Sequence, residues 1–106
     1  DARARATARG VAARQLRAQV RAGLADGQLE VADVLRLGGQ RDDRGRMVAR
    51  MKVVDLLSSF RGIGPARAGD IMAGIGIAAN RRVGGLGPRQ VAEITAVIDA
   101  RFGDRR

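Results

Sequence analysis

Phe60-Arg61-Gly62-Ile63-Gly64-Pro65 and Val83-Gly84-Gly85-Leu86-Gly87-Pro88 are two copies of one short pattern, and each leads into a helix-like stretch, residues 66–75 and 89–98. At an offset of 23 residues the two Gly-x-Gly-Pro cores coincide, as do Ile71 with Ile94, Ala73 with Ala96 and Ile75 with Ile98. Asn80-Arg81-Arg82 lies between the copies. A Gly-x-Gly turn lets the backbone take φ > 0 and lets a ligand approach the main chain closely. Proline directly after it suits the first helical position, where its missing N–H has no partner to lose. The open N–H groups of that first turn, with the positive end of the helix dipole, form an anion site. The duplication predicts a doubled phosphate-gripping device with Arg81 and Arg82 between its halves. The plainer alternative is a pair of helix-connecting turns. Neither copy reads G-x-G-x-x-G, neither follows a β-run, and no G-K-S/T sequence occurs, so a nucleotide-binding loop fits poorly.

Outside this core, composition narrows the field. The 106 residues suit one domain with a modest core. Twenty basic residues against 11 acidic ones leave a formal net charge of +9, which predicts an acidic partner. All of the basic residues but Lys52 are arginine, whose guanidinium grips phosphate bidentately. There is no cysteine, hence no disulfide framework or thiolate site, and no histidine, the commonest general base and metal ligand. With Phe60 and Phe102 as the only aromatic residues, stacking platforms for unstacked single strands are missing, and duplex backbone is the better target. No apolar run reaches membrane-spanning length and no signal peptide is visible, so an intracellular protein is expected.

Residues 3–25 read as one helix. Ala13, Leu16, Val20 and Leu24 follow 3-4-4 spacing and form an apolar stripe. Arg14, Arg17 and Arg21 form an adjoining stripe, with Arg3, Arg5 and Arg9 upstream. Two readings stand for it: a solvated face, or a basic arm along a phosphate backbone. Asp26-Gly27 marks a break, and residues 29–37 read as a short second helix packing Leu29, Val34 and Leu35 inward and stopping at Gly38-Gly39. Residues 40–46, "QRDDRGR", read as a polar loop and flexible joint. Its Asp42 and Asp43 are read as solvated acids rather than metal ligands. Val53, Leu56, Leu57 and Phe60 fall at i, i+3, i+4, i+7, predicting a helix that feeds the first turn. After Pro65, Ala68, Ile71, Met72 and Ile75 continue helical spacing; after Pro88, Val91, Ile94, Ile98 and Phe102 do so, ending at Gly103 with Asp104-Arg105-Arg106 as a frayed tail. No stretch alternates with period two, so the fold is predicted to be all-α.

The run from Met51 to Gly103 resembles the actinobacterial integration host factor family, nucleoid-associated DNA-binding proteins whose helix-two-turns-helix module is shared with ribosomal protein S13 and some DNA-repair glycosylases. The resemblance rests on "MKV..LL" at Met51–Leu57, "GIG" at Gly62–Gly64, "IM" at Ile71–Met72 and "RRV.GLG" at Arg81–Gly87, with a weaker N-terminal match. It implies a long basic N-terminal helix and short second helix (residues 1–45), then a compact S13-like helix-two-turns-helix domain (residues 46–106), the two forming one unit. It also implies a monomeric, cytoplasmic, nucleoid-located protein, not an enzyme, with no cofactor and no membrane partner. Such a protein grips double-stranded DNA through phosphates, bends or compacts it, and supports site-specific recombination beside a recombinase.

The DNA-contacting arginines of the family map onto Arg81 and Arg82, and its turn backbone onto Gly62 and Gly64. Together with the residue-level reading, the residues expected to touch DNA are Gly62, Ile63, Gly64, Ala66 and Arg67 at the first turn, Gly85, Gly87 and Arg89 at the second, and Arg81, Arg82, Arg14, Arg17 and Arg21. Arg67 is read equally well as a surface residue. Members commonly read R-R-x-R-G-L-G, whereas Gly84 stands here where the third arginine is expected, and Pro65 stands where a lysine often follows the turn. Both changes remove positive charge, shifting weight to Arg67, Arg89 and the N-terminal arginines. No metal site and no catalytic residue is expected. Three other readings stay open: an S13-like RNA-binding module, a DNA-repair enzyme, and a protein-interaction adaptor.

Overall fold

The computed structural model describes residues 1–102. Among these the chain forms six α-helices and one 3₁₀ turn, with no strand: α1 (Ala2–Asp26), α2 (Val31–Gly38), α3 (Asp43–Ala49), α4 (Val53–Ser59), α5 (Pro65–Ile75), the 3₁₀ turn Val83–Gly85 and α6 (Pro88–Phe102). The stop expected at Gly103 and the tail Asp104–Arg106 lie outside the described residues.

Helix α1 starts where the Asp1 carboxylate accepts from the Arg3 amide at 2.8 Å and ends at Gly27, whose φ of 86° suits the left-handed cap. Its 25 residues span about 37 Å. Leu16, Val20 and Leu24 are buried as the 3-4-4 spacing requires, so only the C-terminal half is packed. Residues 2–9 are exposed all round. Helix α2 begins two residues later than expected, because Glu30 and Asp33 form a capping box with the Asp33 carboxylate accepting from the Glu30 amide at 3.0 Å. Leu29 is left half-buried before it, lying over Gly23, where a Cβ would come within 2.7 Å of the Leu29 side chain.

The polar stretch 40–46 is a loop only as far as Asp42. From Asp43 it is helix α3, capped by the Asp42 carboxylate, which accepts from the Gly45 amide at 2.8 Å. Asp43 lies in the first turn and pairs with Arg46 at i, i+3. The helix is pinned at Gly45: a Cβ there would sit 2.1 Å from the Gln40 carbonyl oxygen, so only glycine allows the entering chain to cross so closely. Val48 then buries completely. Sequence periodicity missed α3 because one apolar residue and a glycine make its inner face.

An extended segment follows. Lys52 forms an isolated antiparallel bridge with Arg82: the Val53 amide donates to the Arg81 carbonyl and the Val83 amide to the Met51 carbonyl, both at 2.9 Å. This stitch ties "MKV" to "RRV" across the fold and orients α4. Helix α5 follows Gly64 and Pro65 as its N-cap and first residue and ends in a Schellman motif. There Gly76 (φ 88°) donates to the Ala73 carbonyl and Ile77 to the Met72 carbonyl, burying Ile77. The apolar stripe of α6 packs Ile94, Ile98 and Phe102 inward, and Phe102 meets Phe60 edge-on at 5.9 Å, closing the end of α6 on the end of α4. The resulting core is one continuous cluster of buried apolar side chains, and no polar or charged side chain is buried among the described residues.

Candidate nucleic-acid interface

The two turns share a backbone skeleton. In the first, the Ile63 amide donates to the Phe60 carbonyl and the Ala68 amide to the Gly64 carbonyl; at the same offset, Leu86 donates to Val83 and Val91 to Gly87. The repeat read in the sequence is thus a repeat in hydrogen bonding. It is not a full repeat in backbone conformation or in open amides. Gly62 takes φ 84°, whereas no glycine of the second turn has positive φ.

Open main-chain donors are found at the first turn. The amides of Gly62, Gly64, Ala66 and Arg67 have no acceptor among the described residues, and Gly62, Gly64, Ala66 and Arg67 are all exposed. The Arg67 guanidinium folds back to donate to the Gly62 carbonyl at 3.1 Å, so a fixed cation stands beside those amides. Ile63 departs from the expected set: its side chain is buried and its amide is already engaged, so it offers an anion nothing.

In the second turn the Gly85 amide donates to the Arg82 carbonyl. The Gly87 amide donates to the Gln90 side-chain oxygen at 3.1 Å, half of a capping box. Gly85 and Gly87 are therefore self-satisfied, and the second turn keeps the Arg89 and Gln90 amides without an acceptor among the described residues, against four such amides at the first. The aligned positions Arg67 and Gln90 decide the difference: one brings a donor back to the turn, the other an acceptor that occupies it. Arg89 is almost fully exposed and pairs with Glu93 at 3.1 Å along α6.

The guanidiniums of Arg81 and Arg82 do not lie side by side. Adjacent residues of an extended segment alternate in direction, and the two guanidiniums part accordingly. Arg81 turns back over the 3₁₀ turn, donating to the Gly85 carbonyl at 2.9 Å, and is half-buried. Arg82 is exposed and donates to the Arg50 carbonyl, entering a cleft between α1 and α3. Arg14, Arg17 and Arg21 line the α1 side of that cleft, so the stripe read from the sequence faces the fold and not open solvent alone.

Four further cations meet them there. Arg9 continues the α1 wall, and Arg46, Arg50 and Lys52 line the opposite one with Arg82. Arg46 and Arg50, four residues apart on and just beyond α3, would have been legible had that helix been recognised. Nothing in the sequence signals that Lys52 opposes Arg82, because the bridge is a long-range contact. Eight cations face two carboxylates, Asp43 and Asp55, in a cleft of about 1110 Å³. The excess of six charges produces a strong positive field on one side of the molecule. The first turn lies at the far end of α4, eight residues from Lys52 to Phe60, or about 12 Å along a helix.

Gly84 has a packing role. A Cβ there would fall 2.9 Å from the Ala49 Cβ and 3.2 Å from the Ala49 carbonyl, so the bare backbone lets the 3₁₀ turn rest on α3. Among the described residues no group of three or more histidine, cysteine or acidic side chains is arranged to hold a metal ion, and no helix is long and apolar enough to cross a membrane.

Comparison with known proteins agrees with this architecture. Residues 24–98 match the S13-like H2TH domain family, a span that starts at the end of α1 and runs into α6. The integration host factor of Streptomyces coelicolor is 37% identical over 94 residues, covering 89% of this chain and 84% of that protein. A solved structure of sIHF bound to an 8bp palindromic DNA superposes with a TM-score of 0.76 at 38% identity, covering 83% of this chain and 94% of that one.

Proposed function

Since this chain belongs to the integration host factor family, built on the S13-like H2TH domain, we propose that it is a nucleoid-associated protein that binds double-stranded DNA through its phosphates. The observation that carries the reading is the cleft in which Arg14, Arg17 and Arg21 face Arg50, Lys52 and Arg82. One sugar-phosphate strand runs through this cleft, and the open amides of Gly62, Gly64 and Ala66, with Arg67, take a phosphate beyond the end of α4. Arg14 and Arg21 are seven residues apart, about 10.5 Å along the helix, far enough for each to meet a different phosphate of one strand. Phosphate sites separated this way along a rigid body favour bent over straight DNA, because bending brings more backbone against the protein. Bending and compaction of DNA in the nucleoid, and support of site-specific recombination, follow as the working role.

Base-edge readers are scarce at the surface so defined. Gln90 is committed to Gly87, which leaves specificity to shape and deformability of the duplex. The protein acts as a binding module, with no catalytic step assigned to it.

The test is a salt titration of labelled duplex DNA, single-stranded DNA and folded RNA, with the wild type and an Arg81→Ala/Arg82→Ala double variant. Duplex DNA should bind best at every salt concentration, and the double variant should flatten the slope of log K against log salt by about one unit, for the one phosphate that Arg82 no longer neutralises. Preference for folded RNA over duplex DNA would instead assign the module to RNA. An unchanged slope in a folded double variant would remove both arginines from the interface.

A further inference from the structure

Lys52 is the one lysine among the 20 basic residues of the chain. It is exposed, lines the cationic cleft, and its side chain makes no hydrogen bond or ion pair with any described residue. Its backbone is rigidly held, bridged to Arg82 on one side and accepting from the Asp55 and Leu56 amides at the start of α4 on the other. The chemistry of this position differs from that of every neighbour. Guanidinium stays protonated and does not act as a nucleophile under ordinary conditions, whereas a lysine amine loses its proton and can be acylated. The surrounding cations concentrate anions beside it, as a cleft of one sign does for any charged reactant.

We propose that Lys52 is an acylation site for donors that carry an activated acyl group on a phosphate-bearing anion, and that its acylation loosens the grip of the cleft on duplex DNA. The donors sharing this chemistry are acyl phosphates and coenzyme A thioesters. The unprotonated Nζ attacks the acyl carbonyl carbon and a C–N bond forms. The C–O bond to phosphate, or the C–S bond to coenzyme A, breaks and the leaving group departs with the electron pair. The proton shed by nitrogen goes to solvent. The product amide is neutral, so the cleft loses one of its eight cations. Because the other seven are arginines, acylation of the cleft stops at one site. The effect on DNA rests on the function proposed above; the reactivity of Lys52 does not.

The experiment treats the full chain with acetyl phosphate in one arm and acetyl coenzyme A in another, at fixed pH. Intact mass and peptide mapping follow the product against a blocked, unstructured peptide containing one lysine. Lys52 should be acetylated about tenfold faster than the peptide in at least one arm, the lower end of electrostatic steering, and the arm that reacts identifies the donor class. The advantage should vanish at high salt. A rate no faster than the peptide's in both arms would overturn the site. Acetylated protein and Lys52→Gln should then show a DNA salt slope flatter by about one unit, and Lys52→Arg should take up no acetyl group at this position. Equal slopes for acetylated and unmodified protein would overturn the effect on binding. Failure of the unmodified protein to bind duplex would strike the DNA reading instead, while the labelling rate still decides the site.

Discussion

Removing the α1 wall of the cleft gives the most direct measure of what the cleft does. Six excess cations, each neutralising one phosphate, predict a slope of log K against log salt of about −5.4, at about −0.9 per phosphate. Between 50 and 200 mM salt, duplex affinity should then fall about 2,000-fold. Replacing Arg14, Arg17 and Arg21 together with alanine removes three of these cations, so the slope should drop to about −2.7 and the same salt interval should cost only about 40-fold. Alanine is the best helix former, and the three side chains lie beside the buried stripe Leu16, Val20 and Leu24, so α1 should stay folded. Fluorescence anisotropy of a labelled duplex over five or six salt concentrations reads the slope, and circular dichroism confirms the helix content. A triple variant that keeps helix content and the wild-type slope would refute the cleft as the phosphate path, whatever its affinity at a single salt concentration.

Four further outcomes follow from particular side chains and glycines. Arg82→Ala should flatten the salt slope by about one unit, whereas Arg81→Ala, which removes the bond to the Gly85 carbonyl, should leave the slope nearly unchanged and lower the melting temperature; paired titrations and melts separate the two. Gly45→Ala should destabilise by at least about 1–3 kcal/mol, the usual cost of overpacking, because its Cβ would meet a main-chain carbonyl that cannot swing aside. For a domain of this size that lowers the melting temperature by about 5 °C or more. Gly84→Arg, which restores the charge common in the family, should lose stability against Ala49 by a similar amount, and adding Ala49→Gly should recover part of it in a thermal melt. Phe102→Ala, which leaves Phe60 without its edge-on partner, should cost about 3–5 kcal/mol by denaturant titration.

Much of the fold was legible because its signals are local. Gly27 and the Leu16–Val20–Leu24 spacing mark the end and inner face of α1; Gly64-Pro65 and the Ala68–Ile71–Met72 spacing do the same for the start of α5. Each depends on residues within a turn or two of one another, where side-chain period and φ preference act alone. Helix α3 was not legible. Its Asp42 cap and the approach of Gln40 to Gly45 are local but carry no apolar period, and the burial of Val48 against other elements is not local at all. The alikeness of the two Gly-x-Gly-Pro turns was visible in the letters, and their inequality was not, since it turns on whether the side chain three residues after the N-cap brings back a guanidinium or an amide oxygen.

The sequence by itself determined that this is a helical, strongly basic chain with two alike glycine turns at helix starts, because composition and short-range periodicity suffice for those properties. Tertiary structure decided where the positive charge is gathered. The Lys52–Arg82 bridge joins segments 30 residues apart, and packing α1 against α3 and α4 sets Arg14, Arg17 and Arg21 across from them. Electrostatic potential depends on distance in space, and those distances are set by which apolar faces bury against one another.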